Sequence, residues 1–477
     1  MAPSPTGEFH VGSLRTLLYD YALAKKSGGE FILRIEDTDQ SRYVEGSVER
    51  MLKVIKDYGL SWDEGPKIGG PYEPYYQSQR LDLYKKYALE LIEKGKAYYC
   101  FCDEKRLNDL REEQHSKGLV SKYDKFCLSL SSDEVEKKLN EGAPYVIRLN
   151  VLSDETIEFE DAVLGKLSFP SNDIDDQVLI KSDGFPTYHL AVVVDDHLMK
   201  ITHILRGREW LPSTPKHVLL YKYFGWEMPK FVHLPLLRES DSTKKLSKRS
   251  GSVDASDFLE AGYLPEAVLN FLMFLGWNPG TEREVYSLDD FVKDFSVEKI
   301  QTSEMAAFDR KKLIWFNGLY IRNITPEDLW GRIEDWHKEY SKDLEIKGFS
   351  HEYNLKILEM IRERMKTLSE FNDLSSYFYN KPKIEKDTVK KFTGNMDRAK
   401  EIIHNFLEVY ENISSENWNI DYLDKISHDK LEEFSYKPKE AFMTIRYVVS
   451  GREFTPPLFD VLGVLGKKET VERMKKF

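Results

Sequence analysis

Two short segments, far apart in the chain, contain residue types that bind phosphate. The first places His10, Gly12 and Ser13 directly before an amphipathic stretch that predicts a helix. A helix N-terminus offers unpaired backbone N–H groups and the positive end of the helix dipole, and glycine lets a phosphate approach the backbone. Alone, this segment is a weak signal, because a loop histidine that only caps a helix has the same pattern.

The second segment is a basic loop between Thr243 and Gly251, which contains Lys245, Leu246 and Lys248. A mobile cationic loop can close on a polyphosphate and stabilise the negative charge that develops in a transition state. A solvated basic loop would have the same composition, so this segment too is weak by itself.

Three carboxylates, Glu36, Asp37 and Asp39, follow the short apolar run Phe31–Ile35. Such a run is typical of a buried strand. We expect one of the three carboxylates to lie in a functional site. The alternative is a carboxylate at the end of a buried strand that is paired for structure.

All three cysteines, Cys100, Cys102 and Cys127, fall within one window of 28 residues. Three cysteines cannot form a closed set of disulfides, which indicates a reducing compartment. Thiolates suit tetrahedral Zn²⁺. The alternative is a vestigial site that holds no metal.

The elements around these residues alternate between helix and strand over the first 200 residues, which indicates a parallel sheet. Residues 76–187 break this rhythm and indicate an inserted α+β domain. The predicted helices of this half are Ser13–Lys26, Val44–Tyr58, Gln79–Lys94 and Thr214–Tyr223, and the predicted strands are Phe31–Ile35, Tyr145–Val151, Val163–Phe169, Gln177–Ile180 and Leu190–Val194.

Beyond about residue 250 the pattern becomes helical. Apolar residues recur with a 3.6-residue period, and prolines mark the breaks. The predicted helices are Leu264–Leu275, Leu288–Phe295, Met305–Asn317, Leu355–Lys366 and Met396–Tyr410.

The composition is that of a globular protein with several domains: 477 residues, 41% apolar and 31% charged, with a net charge of −12. The longest apolar stretch, Val268–Trp277, is about half the roughly 20 residues that a membrane span needs. The N-terminus lacks the pattern of a signal peptide. We therefore expect a cytoplasmic protein with no membrane partner.

The acidic charge argues at first sight against a nucleic-acid partner. Neither half of the chain is basic, since residues 324–477 hold 26 Lys and Arg against 29 Asp and Glu. Any RNA-binding face must therefore be made by folding.

Taken together, the two phosphate-binding segments resemble the paired signature of class I aminoacyl-tRNA synthetases, and the segments between them resemble glutamyl-tRNA synthetases of the bacterial type. The resemblance spans essentially the whole chain and is densest up to about residue 320. The matching segments are Ala2–Gly7, Arg34–Asp39, Tyr72–Arg80, Lys181–His189, Val194–His197, Leu205–Trp210 and Leu234–Leu236.

The resemblance implies an α/β fold: a class I Rossmann-like catalytic domain with an inserted α+β connective domain, followed by helical stem-contact and all-α anticodon-binding domains. The implied boundaries are 1–77 and 188–245 for the two halves of the catalytic domain, 78–187 for the insertion, 246–323 for the stem-contact region, and 324–380 and 381–477 for two anticodon-binding subdomains.

The resemblance also implies the reaction. Mg²⁺ and ATP activate L-glutamate to glutamyl-adenylate, and the glutamyl group then passes to the 3′ end of tRNA-Glu. The implied ATP-binding residues are His10, Gly12, Ser13, Lys245, Leu246 and Lys248, of which His10, Ser13, Lys245 and Lys248 are catalytic; the implied glutamate-binding residues are Ala2, Ser4, Glu36, Tyr188 and Arg206. The alternative for Arg206 is a salt bridge to Glu209.

Further implied residues lie in the inserted domain and in the helical half. The zinc form of the family implies Cys100, Cys102, Cys127 and Tyr123 as ligands, with Ser129 and His115 as the other candidates for the fourth position. In the helical half the resemblance implies that Arg364 reads the third anticodon base, where the alternative is an exposed helix arginine.

The sequence departs from the family pattern at two places. The family has an arginine two residues before the Ala-Pro-Ser-Pro motif, and this chain starts at Met1, too late to contain it. We expect Met1 to be an internal methionine, because residues 1–9 leave no room for the first strand of a doubly wound domain. The second departure is Val192, where many relatives carry a polar residue.

Three other functions compete with glutamate charging of tRNA-Glu. The nearest rival is a relative that charges glutamine, or one that loads glutamate onto both tRNA-Glu and tRNA-Gln. A plain nucleotidylyltransferase would have no use for the helical half. A catalytically inactive tRNA-binding protein would not need the catalytic set that is intact here, which is His10, Glu36, Lys245 and Lys248. The family implies a monomer.

Overall fold

The structure is a computed structural model that describes residues 1–246, 253–341, 346 and 348–477. The chain forms two compact units. The first comprises Met1–Asp257 with Leu269–Arg310, and the second comprises Phe258–Val268 with Lys311–Phe477. Among the described helices, none combines the length and the apolar composition that a membrane crossing requires.

The first unit is a mixed α/β body. Its strands are β1 (Ala97–Cys100), β2 (Val146–Leu149), β3 (Thr156–Asp161), β4 (Gly165–Pro170), β5 (Val178–Ile180), β6 (His203–Gly207), β7 (Lys230–Leu234), β8 (Leu236–Glu239) and β9 (Met305–Phe308). Its helices are α1 (Val11–Ser27), α2 (Ser47–Asp57), α3 (Leu81–Glu93), α4 (Glu104–Ser116), α5 (Ser132–Asn140), α6 (Tyr188–Leu198), α7 (Thr214–Phe224) and α10 (Leu288–Asp294), while α8 (Ala255–Glu260) and α9 (Pro265–Met273) belong partly to each unit.

A four-stranded sheet in the order β4-β3-β7-β6 supports the candidate site. β6 and β7 run parallel with Arg206 opposite His233, and β7 runs parallel to β3, where Asp161 lies opposite Phe231. Helices α6 and α7 pack against this sheet through one buried apolar cluster. The carboxyl ends of parallel strands are the usual ligand-binding edge of an α/β sheet, and Arg206 lies near such an end.

The other strands form two smaller sheets. β1, β2 and β5 pair antiparallel in that order, and β8 pairs in parallel with β9. Residues 78–187, predicted as an insertion, supply β1, β2 and β5 of the antiparallel sheet that follows α3, whereas their strands β3 and β4 belong to the same four-stranded sheet as β7 and β6.

The predicted strand Phe31–Ile35 is extended but is joined to its neighbours by isolated bridges. The amide of Arg34 donates to the carbonyl of Met1, and the amide of Glu36 donates to the carbonyl of Pro3. A short backbone ladder therefore joins residues 1–3 to residues 34–36.

Two predicted elements are wrong in type. Leu190–Val194, predicted as a strand, lies within helix α6. The prediction fails because five consecutive apolar residues show no period that separates a strand from a helix. Met305–Asn317, predicted as one helix, splits into strand β9 and a helix that begins at Arg310. Pairing with β8, which is distant in sequence, overrides the local helical pattern.

The second unit is all-helical in its described residues, as the sequence predicts. Its helices are α11 (Arg310–Asn323), α12 (Pro326–Trp336), α13 (His351–Ile361), α14 (Glu370–Tyr379), α15 (Lys386–Thr393), α16 (Met396–Asn412), α17 (Ile420–Glu433), α18 (Pro438–Ser450) and α19 (Leu458–Lys475). Large buried side chains such as Trp330, Phe371 and Phe406 form its core. Gly466, with φ of 77°, interrupts the helical geometry of α19 and kinks it.

Candidate active site

His10 caps helix α1. Its Nδ1 accepts a hydrogen bond from the amide of Gly12 at 2.9 Å. A neutral imidazole that accepts at Nδ1 carries its proton on Nε2, so Nε2 is the atom from which this ring can donate. The first turn of α1 contains no acidic residue, which leaves the positive end of its dipole available to an anion.

The backbone amides beside His10 are already engaged in the capping turn. The amide of Gly12 donates to the ring, and the amide of Ser13 donates to the carbonyl of His10 at 2.8 Å. A Cβ at Gly12 would lie 3.0 Å from His10 Nδ1, so a larger residue would push the ring by a few tenths of an ångström. The side chains of His10 and Ser13 are therefore the groups that this turn can offer to a phosphate.

Both ends of the basic loop are anchored beside the start of α1. Leu246 donates its amide to the carbonyl of Leu237 in β8 at 2.7 Å, and the amide of Val11 donates to the carbonyl of Val253 at 2.7 Å. Lys248 lies outside the described residues. Lys245 is exposed and forms an ion pair with Glu209 at 2.9 Å.

The three predicted carboxylates have different partners. Asp37 accepts hydrogen bonds from the amide and the hydroxyl of Ser78, at 2.7 and 2.6 Å. Asp39 is bound by its near neighbours, among them Arg42. Glu36 is the one that is buried and whose second oxygen, Oε2, has no hydrogen bond from the described residues. Its geometry therefore fits the site better than that of the other two.

Arg34 binds Glu36 within a buried charge network. Its Nη2 lies 3.2 Å from Glu36 Oε1, and its Nη1 lies 2.8 Å from Asp196 Oδ1. Asp195 lies 3.7 Å from Arg34 and 2.7 Å from Arg80. Burial raises the pKa of Glu36 to about 7, and Arg34 opposes this rise. The sequence does not predict the network, although an arginine inside an apolar run is a signal for one.

Arg206, on β6, is 7% exposed and has four polar partners. Its guanidinium donates to Thr214 Oγ1 at 2.7 Å and to the hydroxyl of Tyr188 at 3.3 Å. The other two partners are the rings of His217 and His233. Among the described residues no carboxylate lies within ion-pair distance of Arg206, and Glu209, the alternative partner considered above, pairs with Lys245. A buried cation without a counterion is suited to an anionic ligand.

The remaining predicted residues lie in several environments. Tyr188 opens helix α6, and its ring packs against Trp210 at 4.6 Å. Ala2 is partly buried, whereas Ser4 is exposed. Val192 is 5% exposed and packs in the apolar cluster between α6 and the sheet.

The three cysteines come together with Tyr123. The Sγ atoms of Cys100, Cys102 and Cys127 all lie within 4.8 Å of one another. The hydroxyl of Tyr123 lies 3.4 Å from Cys100 Sγ and 3.2 Å from Cys102 Sγ. Hydrogen bonds from Cys127 and Tyr123 lower the pKa of the Cys100 thiol to about 4, which favours the thiolate that metals bind.

The other two candidates for the fourth ligand have different surroundings. The hydroxyl of Ser129 donates to the carbonyl of Phe126, and Ser129 is exposed. His115 is exposed near the end of α4 and is not part of the cysteine cluster. The geometry therefore favours Tyr123 over both.

Arg364 lies exposed in the turn after α13 of the second unit. Burial raises the pKa of Tyr377, and the positive charges of Arg452, Arg364 and Arg446 oppose this rise. The hydroxyl of Tyr377 and the Nε of Arg446 are buried and have no hydrogen-bond partner among the described residues. Three arginines, Arg364, Arg446 and Arg452, thus act electrostatically on Tyr377, and the sequence analysis singles out only Arg364.

Two family models together match most of the chain. The model described as "tRNA synthetases class I (E and Q), catalytic domain" matches residues 1–315. The model described as "Anticodon binding domain" matches residues 329–477.

Individual relatives match over their whole length. The chain is 45% identical over 480 residues to a protein of Clostridium tetani named glutamate–tRNA ligase, which covers 99% of this chain and 96% of that protein. It is 42% identical over 495 residues to one of that name from Clostridioides difficile, at 99% and 97% coverage. A crystal structure of a glutamate tRNA ligase from Elizabethkingia meningosepticum, in complex with its amino acid, superposes with a TM-score of 0.90 at 35% identity and covers 100% of this chain and 97% of that one.

Proposed function

The chain belongs to the class I tRNA synthetases for glutamate and glutamine, and from that premise we propose that it is a glutamate–tRNA ligase, which joins L-glutamate to tRNA-Glu with ATP. The full-length likeness to proteins of that name, at 42–45% identity, carries this proposal. A plain nucleotidylyltransferase is disfavoured, because residues 329–477 match an anticodon-binding domain.

The proposed reaction consists of two displacements. First, an oxygen of the glutamate α-carboxylate attacks the α-phosphorus of ATP, and pyrophosphate leaves. Then a ribose hydroxyl of the last tRNA nucleotide attacks the carbonyl carbon of glutamyl-adenylate, and AMP leaves. Both centres are already reactive, so the protein acts mainly by positioning and by stabilising charge. Mg²⁺ bound with ATP neutralises part of the phosphate charge.

In this proposal the phosphates bind at the start of α1 and under the basic loop. His10 donates from Nε2, Gly12 keeps the ring in place, and Ser13 contributes its hydroxyl. Lys245 and Lys248 stabilise the charge on the pentavalent phosphorus as pyrophosphate leaves. Support comes from the capping geometry of His10 and from the anchoring of the loop ends beside it.

The glutamate site would use charges of both signs. Arg206 binds a carboxylate of the substrate, with the hydroxyl of Tyr188 beside it at 3.3 Å. Glu36 binds the α-ammonium through Oε2, and the ammonium favours the ionised form of this carboxylate. Ala2 and Ser4 complete the wall of the pocket.

The proposal is tested by transfer of labelled glutamate to purified tRNA-Glu and tRNA-Gln in the presence of Mg²⁺ and ATP. We expect transfer to tRNA-Glu alone. Transfer to both would identify the non-discriminating enzyme. Binding of tRNA without transfer to either would favour the inactive tRNA-binding protein.

A structural zinc ion is a second part of the proposal. The donor set suits Zn²⁺, because three thiols and a phenol hydroxyl meet at one point in partly buried surroundings. These residues, Cys100, Cys102, Cys127 and Tyr123, would hold the inserted segment together.

We predict about one equivalent of zinc in the purified protein, measured by elemental mass spectrometry. Cys102→Ser should lower the zinc content to less than about a tenth of an equivalent and lower the midpoint of thermal unfolding. Ser129→Ala is the matched control and should retain the metal. Wild-type protein without zinc would contradict the site.

A third prediction concerns tRNA recognition. Arg364→Ala should raise KM for tRNA-Glu by about 5- to 150-fold, because an arginine that reads a base edge contributes roughly 1–3 kcal/mol. KM for ATP and for glutamate should stay unchanged. Arg362→Ala is the control, since that side chain donates to the carbonyl of Ile324 at 3.3 Å. Equal effects of the two substitutions on charging kinetics would argue against a specific role for Arg364.

We also propose that the protein is a cytoplasmic monomer and that its chain divides into six segments, 1–77, 78–187, 188–245, 246–323, 324–380 and 381–477. Light scattering of the purified protein tests the monomer, and limited proteolysis at the proposed boundaries tests the division.

A further inference from the structure

A chain of buried polar side chains holds the guanidinium of Arg206. Its Nε donates to His233 Nε2 at 3.2 Å, and its Nη1 donates to His217 Nδ1 at 3.2 Å. His233 and His217 are 0% and 1% exposed. Asp161 contacts His233 at 2.7 Å, and His189 contacts His217 at 3.0 Å. The contacts therefore run from Asp161 through both rings and Arg206 to His189.

The contacts determine the tautomer of each ring. Arginine has only donors, so the ring nitrogens that face Arg206 must both be acceptors. His233 then carries its proton on Nδ1, which donates to Asp161, and His217 carries its proton on Nε2, which donates to His189. Burial lowers the pKa of His217 and of His233, and the neighbouring Arg206 lowers both further, while Asp161 opposes the lowering at His233. Both rings are thus neutral.

Asp161 secures the tautomer of His233. Its Oδ1 accepts hydrogen bonds from the amides of Val163 and Leu164, at 3.0 and 2.9 Å, which leaves Oδ2 to face the ring. A carboxylate that accepts from one ring nitrogen leaves the other as an acceptor.

Neutral acceptors have a different effect from carboxylates at this position. A carboxylate would orient the guanidinium but would also compensate its charge, so a substrate carboxylate would compete with an internal partner. Two neutral rings orient the guanidinium without placing a carboxylate in contact with it.

We propose that His217 and His233 are positioning residues, which hold Arg206 in the orientation that binds a substrate carboxylate while leaving its charge available to glutamate. The inference rests on the proposed function, because it assigns Arg206 to glutamate binding. It adds two residues from α7 and β7 that the sequence does not single out.

The test uses matched amide substitutions. The carbonyl oxygen of asparagine reaches about the position of ring Nδ1, and that of glutamine reaches about the position of ring Nε2. His233 faces Arg206 with Nε2, so His233→Gln retains the acceptor and His233→Asn loses it. His217 faces Arg206 with Nδ1, so the order is reversed there.

We expect His233→Asn and His217→Gln to raise KM for glutamate by about tenfold or more, since each leaves a buried donor of Arg206 unpaired. His233→Gln and His217→Asn should each raise it by less than about threefold. KM for ATP should change little in all four variants. The matched control is His203→Asn. His203 lies on the same strand as Arg206, but its ring contacts Thr202 instead of Arg206.

The opposite ranking at the two positions distinguishes positioning from support of the fold. If the only role of His233 were its hydrogen bond to Asp161, His233→Asn would raise KM for glutamate less than His233→Gln does. That result would overturn the proposal. An equal rise in KM for glutamate and in KM for ATP would also overturn the proposal.

A second measurement needs no variant. Nitrogen-15 NMR of selectively labelled wild-type protein should show a protonated Nδ1 at His233 and a protonated Nε2 at His217, and the opposite tautomers would overturn the proposal. Wild-type protein that does not charge tRNA-Glu would instead contradict the proposed function, without bearing on the tautomers.

Discussion

Replacing Arg206 with methionine will lower kcat/KM for glutamate by about two to four orders of magnitude. Methionine retains much of the apolar stem but leaves the substrate carboxylate without a cation in a buried site. Removing one partner of a buried ion pair costs about 3–5 kcal/mol. Because about 1.4 kcal/mol corresponds to a factor of ten, that cost is of order 10²–10⁴ in kcat/KM.

Steady-state charging of tRNA-Glu at varied glutamate and saturating ATP measures this effect. Arg208→Met is the control, because that arginine, two residues further on, donates to the carbonyl of Thr302 at 2.7 Å. We expect Arg208→Met to change KM for glutamate little. A similar decrease in kcat/KM for glutamate in both variants would show that Arg206 does not bind glutamate. A change in KM for ATP alone would show the same.

Replacing His10 with alanine will lower kcat for glutamate activation by about 10²–10³, which is the usual cost of removing one preorganised donor to a transition-state charge. The imidazole donates from Nε2 only while Nδ1 accepts from the amide of Gly12. Gly12→Ala should therefore lower kcat for glutamate activation too, but by less. The alanine Cβ would lie 3.0 Å from His10 Nδ1 and would displace the imidazole ring.

Glutamate-dependent exchange of pyrophosphate into ATP, with tRNA-Glu present, reports this step. Gly29→Ala is the matched control for the glycine, since its Cβ would lie 3.6 Å from the nearest atom, Ser27 Oγ. The midpoint of thermal unfolding should be similar for Gly12→Ala and Gly29→Ala. A His10→Ala variant whose kcat stays within about threefold of wild type would contradict the role of His10.

Much of the fold was predictable because local patterns are strong in this chain. The helix after His10 and the helical second unit both follow from apolar periodicity. The errors at Leu190–Val194 and at Met305–Phe308 share one cause. Each is a short apolar segment whose type depends on its packing partners: α6 packs against the sheet, and β9 pairs with β8.

The sequence alone determined the family resemblance, the two candidate phosphate-binding segments and the window that holds the three cysteines. Each of these is a short segment or a narrow window, so its residue types and spacing can be recognised without a fold. The tertiary structure decided how the charges are paired. Glu36 lies with Arg34 in a buried network, whereas Arg206 meets His233 and neutral partners instead of Glu209. Such pairing depends on distances between residues remote in sequence and on their burial. For Arg206 the parallel strands β6 and β7 set both, and for Arg34 the packing beside Asp195 and Asp196 of α6 does.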